Sequence, residues 1–128
     1  KAGSGGTNVK IANTSVTVAE GGSGTTNTVQ GLCKVWARTN MATAANSDSF
    51  NVSSLSDGGT GVFTVNINNN MNDGTYTGTD SGDNISSNDN NANQVESHAA
   101  GSYVIAHKEN GSSVDTTSFG SAIHGDLA

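Results

Sequence analysis

The chain has 128 residues and a formal net charge of −6, from eleven acidic and five basic side chains. The basic residues are too few and too scattered to form a stripe that neutralises phosphates, so we expect no nucleic-acid partner. Gly, Asn, Ser and Thr make up about half of the chain, and no stretch approaches the roughly 18 apolar residues of a membrane span, so we expect no membrane insertion.

The chain is poor in the side chains that form cores. Val, Ile, Leu and Phe are only about one residue in six, a proportion at which disorder becomes a concern. The net charge is modest and the apolar residues are patterned, so we expect an ordered fold with a thin core. A disulfide cannot stabilise it, because Cys33 is the only cysteine, and we expect a buried free thiol there. Two other ways to stabilise a fold with a thin core remain, extensive β-ladders and a core shared between subunits.

The N-terminal region shows weak strand patterns. Apolar and polar residues alternate with a period of two at residues 9–12 and 15–19, which predicts two short strands. Three glycines in residues 20–28 predict a loop or linker. We therefore divide the chain into strands and linker at residues 1–30 and a β-structured domain at residues 31–128.

The most apolar run, GLCKVWART at residues 31–39, predicts a strand that is covered on both faces. On this interpretation both Val35 and Trp36 belong to the core. Residues 40–48 follow, and we interpret them as a loop because Asn and Ser dilute the brief helix that their alanines could form.

The strongest hairpin signal joins SFNVSSL and VFTVNI through the turn SDGGTG. Alternation predicts that Phe50 and Val52 face inward on the first strand, with an irregularity at Ser53 and Ser54. The Asp57-Gly58 pair is expected to supply the positive φ angles of the turn. Met71 should turn inward after the second strand, and a short strand is expected around Tyr76. The predicted core residues are Val35, Trp36, Phe50, Val52, Phe63, Val65, Ile67 and Tyr76.

Residues 80–93 are predicted to form a long polar loop, with Ile85 as its one strong apolar anchor. Long loops in compact domains are often functional or disordered, so we expect any binding surface of the domain here. The candidate binding residues are Asp80, Asp83, Asn84, Asn88, Asp89, Asn90 and Asn91.

The C-terminal part predicts a strand at residues 102–108, a turn at Asn110-Gly111 and one or two strands around Val114 and residues 119–123. Proline is absent, so the turns depend on Gly and Asn. About eight short strands without a convincing helix predict an all-β fold, either an antiparallel β-sandwich or a β-rich knob.

The sequence carries no pattern typical of catalysis or metal binding. His98, His107 and His124 lack the spacing of a zinc site, and the aspartates of residues 80–93 lack that of a calcium loop. A base adjoins an acid at residues 124–126, which we interpret as a solvated tail. We therefore expect no enzyme, cofactor or metal, leaving open an ion bound where one histidine meets its copies on a trimer axis.

A longer pattern resembles a known group of proteins. Lysine and tryptophan two residues apart precede S-F-N-V-S-S-x-x-D-x-G-T-G-x-F-T-V, then a methionine and a tyrosine. This order, over about residues 31–80, resembles a segment of tail-fibre and related virion proteins of bacteriophages, notably marine and cyanobacterial ones. The chain departs from it at Ile67, where Phe is common, and at residues 38–46. The matching positions are Lys34, Trp36, Ser49, Phe50, Asn51, Val52, Ser53, Ser54, Asp57, Gly59, Thr60, Gly61, Phe63, Thr64, Val65, Met71 and Tyr76.

The resemblance implies a β-structured, usually trimeric appendage on the surface of a phage particle that contacts the host cell. Its implied partners are two further copies of the chain, other virion proteins, and a polysaccharide or protein of the host surface. One alternative is a head fibre or capsid decoration protein without a receptor. A second is a tailspike depolymerase, which would need a carboxylate pair in a groove and, for a parallel β-helix, a longer chain.

Overall fold

The computed structural model describes residues 31–82 and 91–128, together with the backbone of two short strands, β1 (Thr17–Ala19) and β2 (Thr25–Asn27). The chain divides into two compact units, Lys1–Leu32 and Cys33–Ala128. In the first unit β1 and β2 pair antiparallel. The strand predicted at residues 15–19 thus includes β1, whereas β2 falls inside the predicted linker. The strand predicted at residues 9–12 lies outside the described residues.

The second unit is built almost wholly from strands, as its alternating sequence predicts. One short 3₁₀ turn, Met41–Thr43, lies among them. The strands are β3 (Cys33–Asn40), β4 (Ala45–Phe50), β5 (Val52–Asp57), β6 (Val62–Ile67), β7 (Thr77–Gly82), β8 (Ala92–Ala99), β9 (Ser102–Glu109), β10 (Ser112–Ser113) and β11 (Phe119–His124).

These strands form two antiparallel sheets. In sheet I, β9 pairs with β6, β8 and β10, and β6 pairs with β5. Sheet II has the order β4-β3-β11-β7. The sheets pack face to face around one core, which confirms the predicted antiparallel β-sandwich.

The core lies between the sheets and is built within a single copy of the chain. Five of the predicted core residues are buried in it, and Val52 packs against it partly buried. The prediction that Met71 turns inward is also confirmed. The core residues are Val35, Met41, Phe63, Val65, Ile67, Met71, Tyr76, Tyr103, Ile105, Phe119 and Ile123.

Trp36 and Phe50 do not belong to the core, and their predicted burial is wrong. Trp36 is 37% exposed and Phe50 is 55% exposed. Side chains alternate along a strand, so Trp36 points away from the core that Val35 enters. Nothing among the described residues adds a third layer over it, whereas the sequence interpretation covered both faces of this strand.

Phe50 is misplaced for a different reason, because the chain changes sheets at Asn51. Phe50 ends β4 in sheet II, and Val52 begins β5 in sheet I. Asn51 has a φ of 59°. Its Nδ2 donates to the Lys34 and Asn69 carbonyls at 3.1 and 3.0 Å, and its Oδ1 accepts from the Asn69 N–H at 2.7 Å. Asn51 is therefore a corner between sheets, and the predicted continuous strand across it is wrong.

Residues 40–48 are more ordered than the predicted loop. Asn40 caps the 3₁₀ turn, with its side-chain oxygen accepting from the Thr43 N–H at 3.2 Å. Met41 is buried in the core, and β4 then pairs with β3. Met41, the single large apolar side chain in this segment, fixes it to the core. The many Asn and Ser residues around it make the segment resemble a loop in the sequence.

The β5–β6 hairpin is confirmed, including an irregular register between Val52 and Ser54. Its turn differs from the prediction, since the positive φ angles fall at Gly59 (108°) and Gly61 (71°) rather than at Asp57-Gly58. The Asp57 carboxylate instead accepts from the Gly59 N–H at 2.7 Å. The second predicted turn is confirmed, with positive φ at both Asn110 and Gly111.

The polar segment is shorter than the predicted loop at residues 80–93. Its first three residues belong to β7 and its last two to β8, while Tyr76 precedes β7 rather than lying within it. The sequence interpretation did not include β8, because ANQVESHA contains one large apolar residue, Val95. That residue packs against the core, and β9 supplies the backbone partners along the strand.

Candidate functional site

The described residues do not gather the predicted receptor-binding set into one site. Asp80 is exposed on β7. Asn91 is half-buried, and its Oδ1 accepts from the Asn110 N–H at 3.0 Å, so it supports the β9–β10 turn. Asp83, Asn84, Asn88, Asp89 and Asn90 lie outside the described residues, and their role stays a prediction.

A different surface combines the features of a binding site, the outer face of sheet II. We use this name for the side of β4, β3, β11 and β7 that points away from the core. The strand register aligns its side chains in rows across the sheet. One row is Phe50, Trp36, Ala122 and Thr79; the next is Asp48, Arg38, Gly120 and Ser81.

Two exposed aromatic residues stand side by side on this face. Trp36 and Phe50 are direct cross-strand partners, so their Cβ atoms lie about 4.5–5.5 Å apart. Large apolar side chains left in water are informative when they cluster. Here the alternation that buries Val35 and Ala37 turns Trp36 outward, and the corner at Asn51 leaves Phe50 beside it.

A polar row adjoins the aromatic pair. Arg38 and Asp48 are exposed cross-strand partners one row further along β3 and β4. The guanidinium group offers donors and the carboxylate offers acceptors. The charges of these two side chains cancel, so this row presents hydrogen-bonding groups without a net charge.

A shallow depression of about 280 Å³ continues the face towards β7. It is lined only by residues of sheet II, and the register puts four of them, Thr79, Ser81, Gly120 and Ala122, on the outer face. Small side chains keep its floor low: a Cβ on Gly120 would lie 2.5 Å from Ser81 Oγ. The face thus offers an aromatic platform, a polar pair and a small hollow whose lining includes Thr79, Ser81 and the predicted binding residue Asp80.

The buried histidine, His107, belongs to a separate cluster inside the sandwich. It is 1% exposed, with Nδ1 2.6 Å from Asn93 Oδ1 and Nε2 3.2 Å from Glu109 Oε1. Asn93 also lies against the backbone of Gly82 at the end of β7. Both ring nitrogens have partners, so this cluster ties β7, β8 and β9 together.

The other histidines lie elsewhere. The His98 ring packs against Tyr76, with 4.6 Å between ring centroids, and His124 is half-buried at the end of β11. The segment after His124 is not the solvated tail that we predicted, because the Asp126 carbonyl accepts from the Asn72 N–H at 2.8 Å. Within the described part of the chain, no three His, Cys, Asp or Glu side chains are grouped to hold a metal ion.

Cys33 is a free thiol, half-buried rather than fully buried, with its Sγ 3.0 Å from the Val35 carbonyl oxygen. No helix in residues 31–82 or 91–128 has the length and apolar character needed to cross a membrane.

The sequence predicts the binding residues in the polar segment and does not indicate the outer face. Strict alternation along the strand would have indicated this face, because it puts Trp36 and Arg38 on the side opposite to Val35 and Ala37. The pairing of Trp36 with Phe50 depends on the register of β3 and β4, and β4 was not predicted. Searches of the chain against protein-family models, curated proteins and solved structures found no match.

Proposed function

We propose that the chain is a tail-fibre module of a phage virion that contacts the host-cell surface and catalyses no reaction. The exposed Trp36–Phe50 pair on the outer face of sheet II carries this proposal. An ordered sheet face that keeps two large aromatic residues in water, beside an exposed Arg38–Asp48 pair, suits adhesion. The resemblance of residues 31–80 to phage tail-fibre proteins supplies the virion context.

The proposed assembly is a homotrimer that joins other virion proteins. In the described structure β4, β5, β7 and β8, like the two-residue β10, each pair with one neighbour only, so each leaves one edge open. Natural proteins protect such edges with charged side chains, especially lysine, with proline, with bulges or with a covering chain. The four longer strands carry no lysine or arginine and only one carboxylate each, and the chain has no proline, which supports covering by neighbouring copies.

Cell binding tests the proposal directly. The fluorescently labelled chain should decorate some strains in a panel of marine cyanobacteria and other marine bacteria, and leave others unlabelled. An unlabelled virion structural protein of similar size and charge is added as a competitor, and it should not displace the labelled chain from the cells. Failure to decorate any strain of the panel would contradict host contact and favour a head fibre or capsid decoration protein.

A further inference from the structure

We infer that the outer face of sheet II binds an uncharged glycan, with a sugar ring stacked on Trp36 and Phe50. This inference rests on the proposed function, which it deepens by naming the chemistry of the surface that is contacted. The ligand would be a neutral hexose-containing chain, held by one platform, one polar pair and one shallow hollow.

The platform fits the apolar side of a sugar ring. A pyranose ring presents C–H groups on its faces and hydroxyl groups around its edge, so it can stack on a flat aromatic side chain while its hydroxyls stay accessible. Trp36 and Phe50 lie next to each other across β3 and β4 and remain 37% and 55% exposed. Tryptophan is enriched at interfaces because its large ring is apolar while its indole N–H can donate a hydrogen bond.

The hydrogen-bonding groups lie where the edge of such a ring would reach. Arg38 and Asp48 follow one row from the aromatic pair, and the Thr79 and Ser81 hydroxyls lie across Ala122 and Gly120 on β7. Three strand spacings of about 4.8 Å give the face a width of roughly 14 Å. The hollow of about 280 Å³ is slightly smaller than the ~300–1,000 Å³ pockets that enclose drug-sized ligands, which suits a sugar that binds at the surface.

The size of the apolar patch favours a sugar over a second copy of the chain. A fully buried aromatic residue covers 150–250 Å², so the exposed parts of these two amount to roughly 200 Å². A stable protein interface buries about 800 Å² on each partner, with an apolar centre. The surroundings of Trp36 and Phe50 are instead small and polar.

The charge of the face favours a neutral ligand. Arg38 and Asp48 cancel each other on the face, Asp80 adds a carboxylate to the lining of the hollow, and the chain as a whole carries a net charge of −6. A polyanionic polysaccharide would be repelled by that field, while an uncharged glycan would not.

Trp36 itself reports binding, because it is the only tryptophan in the chain. The full chain is titrated with cello-oligosaccharides, mannan and agarose-derived galactan oligosaccharides, and with dextran sulfate as the anionic comparison. We expect at least one neutral probe to shift the Trp36 emission to the blue and to protect it from acrylamide quenching. Dextran sulfate should do neither. No response to any neutral probe, or a response to dextran sulfate alone, would overturn the inference.

Variants then connect the response to the face. In affinity electrophoresis with the probe that responds, Trp36→Ala and Phe50→Ala should each weaken retardation at least tenfold. Leu127→Ala is the matched control, since Leu127 is 43% exposed and belongs to none of the four strands that form this face, so the variant should bind like the parent chain. Should Trp36→Ala fail to fold by circular dichroism, Phe50→Ala decides alone, and unchanged retardation would contradict the inference.

Three further outcomes separate this inference from others. If Trp36 is already shielded from acrylamide without sugar, and Trp36→Ala changes the molecular mass in solution, the face is a subunit interface and the glycan inference is wrong. If the labelled chain decorates cells but neither Phe50→Ala nor the neutral probe reduces the labelling, host contact stands and the glycan inference fails. If the sugar binds but no cell is decorated, only the proposed host contact fails.

Discussion

At the scale of single residues, two phenylalanines of this sandwich differ in burial because their strands turn them to opposite faces. Phe63 is 1% exposed at the centre of the core, while Phe50 is 55% exposed at the end of β4. The sequence alternates in the same way around both, so the residues alone do not separate them. What separates them is the corner at Asn51, which moves the chain from one sheet to the other.

Phe63→Ala should therefore lower the free energy of unfolding by about 3–5 kcal/mol, since it removes a ring from a packed core and leaves a cavity. Phe50→Ala is the matched control and should change it by no more than about 0.5 kcal/mol. Urea denaturation followed by circular dichroism measures both. Equal effects would show that the faces of these strands have been assigned wrongly.

Tyr103 gives a second prediction at this scale. It is fully buried, and this burial raises the pKa of its phenol to about 12 from an ordinary value of 10.0, while the hydrogen bond with Ser121 Oγ at 2.9 Å acts in the opposite direction. Because this pKa is higher in the folded state than in the unfolded state, the buried neutral phenol contributes fully to the free energy of unfolding below pH 10. That contribution is lost as the pH rises towards about 12.

The ultraviolet absorbance of tyrosinate measures this ionisation. The chain has two tyrosines, so Tyr76→Phe leaves Tyr103 as the only one that titrates. We expect its ionisation near pH 12, or earlier only together with unfolding seen by circular dichroism. Ionisation near pH 10 in a chain that is still folded would show that Tyr103 is open to water.

At the scale of elements, the β5–β6 turn depends on two glycines with different surroundings. Both Gly59 and Gly61 have a positive φ. A Cβ on Gly61 would lie 2.6 Å from the His107 carbonyl oxygen and 2.8 Å from the Val114 nitrogen, whereas a Cβ on Gly59 would have nothing within 4 Å. Gly61 therefore sits where the turn meets β9, and Gly59 sits in open space.

Gly61→Ala should cost about 3 kcal/mol or more, because it adds a backbone clash to an unfavourable φ. Gly59→Ala should cost only about 1–2 kcal/mol, because its one unfavourable effect is a Cβ at a positive φ. Thermal unfolding should give Gly61→Ala a clearly lower melting temperature than Gly59→Ala. The melting temperature of a domain of this size falls by about 4–8 °C per kcal/mol of lost stability. Similar midpoints for the two variants would exclude the close approach at Gly61.

The elements also show how much of the fold the sequence contains. The alternation of Phe63, Val65 and Ile67 with polar residues predicts β6 and its buried face, and Asn110-Gly111 predicts its turn. β8 is not visible in the sequence, because Val95 is its one large apolar residue and its stability comes from pairing with β9. The outer face of sheet II depends on the register between β3 and β4, which no local pattern specifies.

At the scale of the whole molecule, the thin core and the open strand edges decide what can be expected of the assembly. One copy buries its own core, so a shared core is not needed to explain the fold. The open edges still favour contact with neighbouring copies. We predict a trimer at micromolar concentration, measured by light scattering after size exclusion. A monomer at that concentration would contradict the prediction.

Two surfaces are candidates for the proposed contact with the cell. The sequence predicts the contact in the polar segment at residues 80–93, and the fold adds the outer face of sheet II as a second candidate. Replacing residues 83–90 with a short Gly-Ser turn should leave the sandwich intact, since the cluster of His107, Asn93 and Glu109 holds the adjoining strands. If cell binding is lost in this variant alone, the contact lies in the segment.

The central claim is that the outer face of sheet II contacts the host. The most direct measurement is flow cytometry of susceptible cells with the labelled parent chain, the Trp36→Ala/Phe50→Ala double variant and the Leu127→Ala control, each confirmed as folded by circular dichroism. The claim predicts that the double variant loses at least nine-tenths of the labelling, a tenfold effect of about 1.4 kcal/mol, while the control retains it. Undiminished labelling by a folded double variant would contradict the claim.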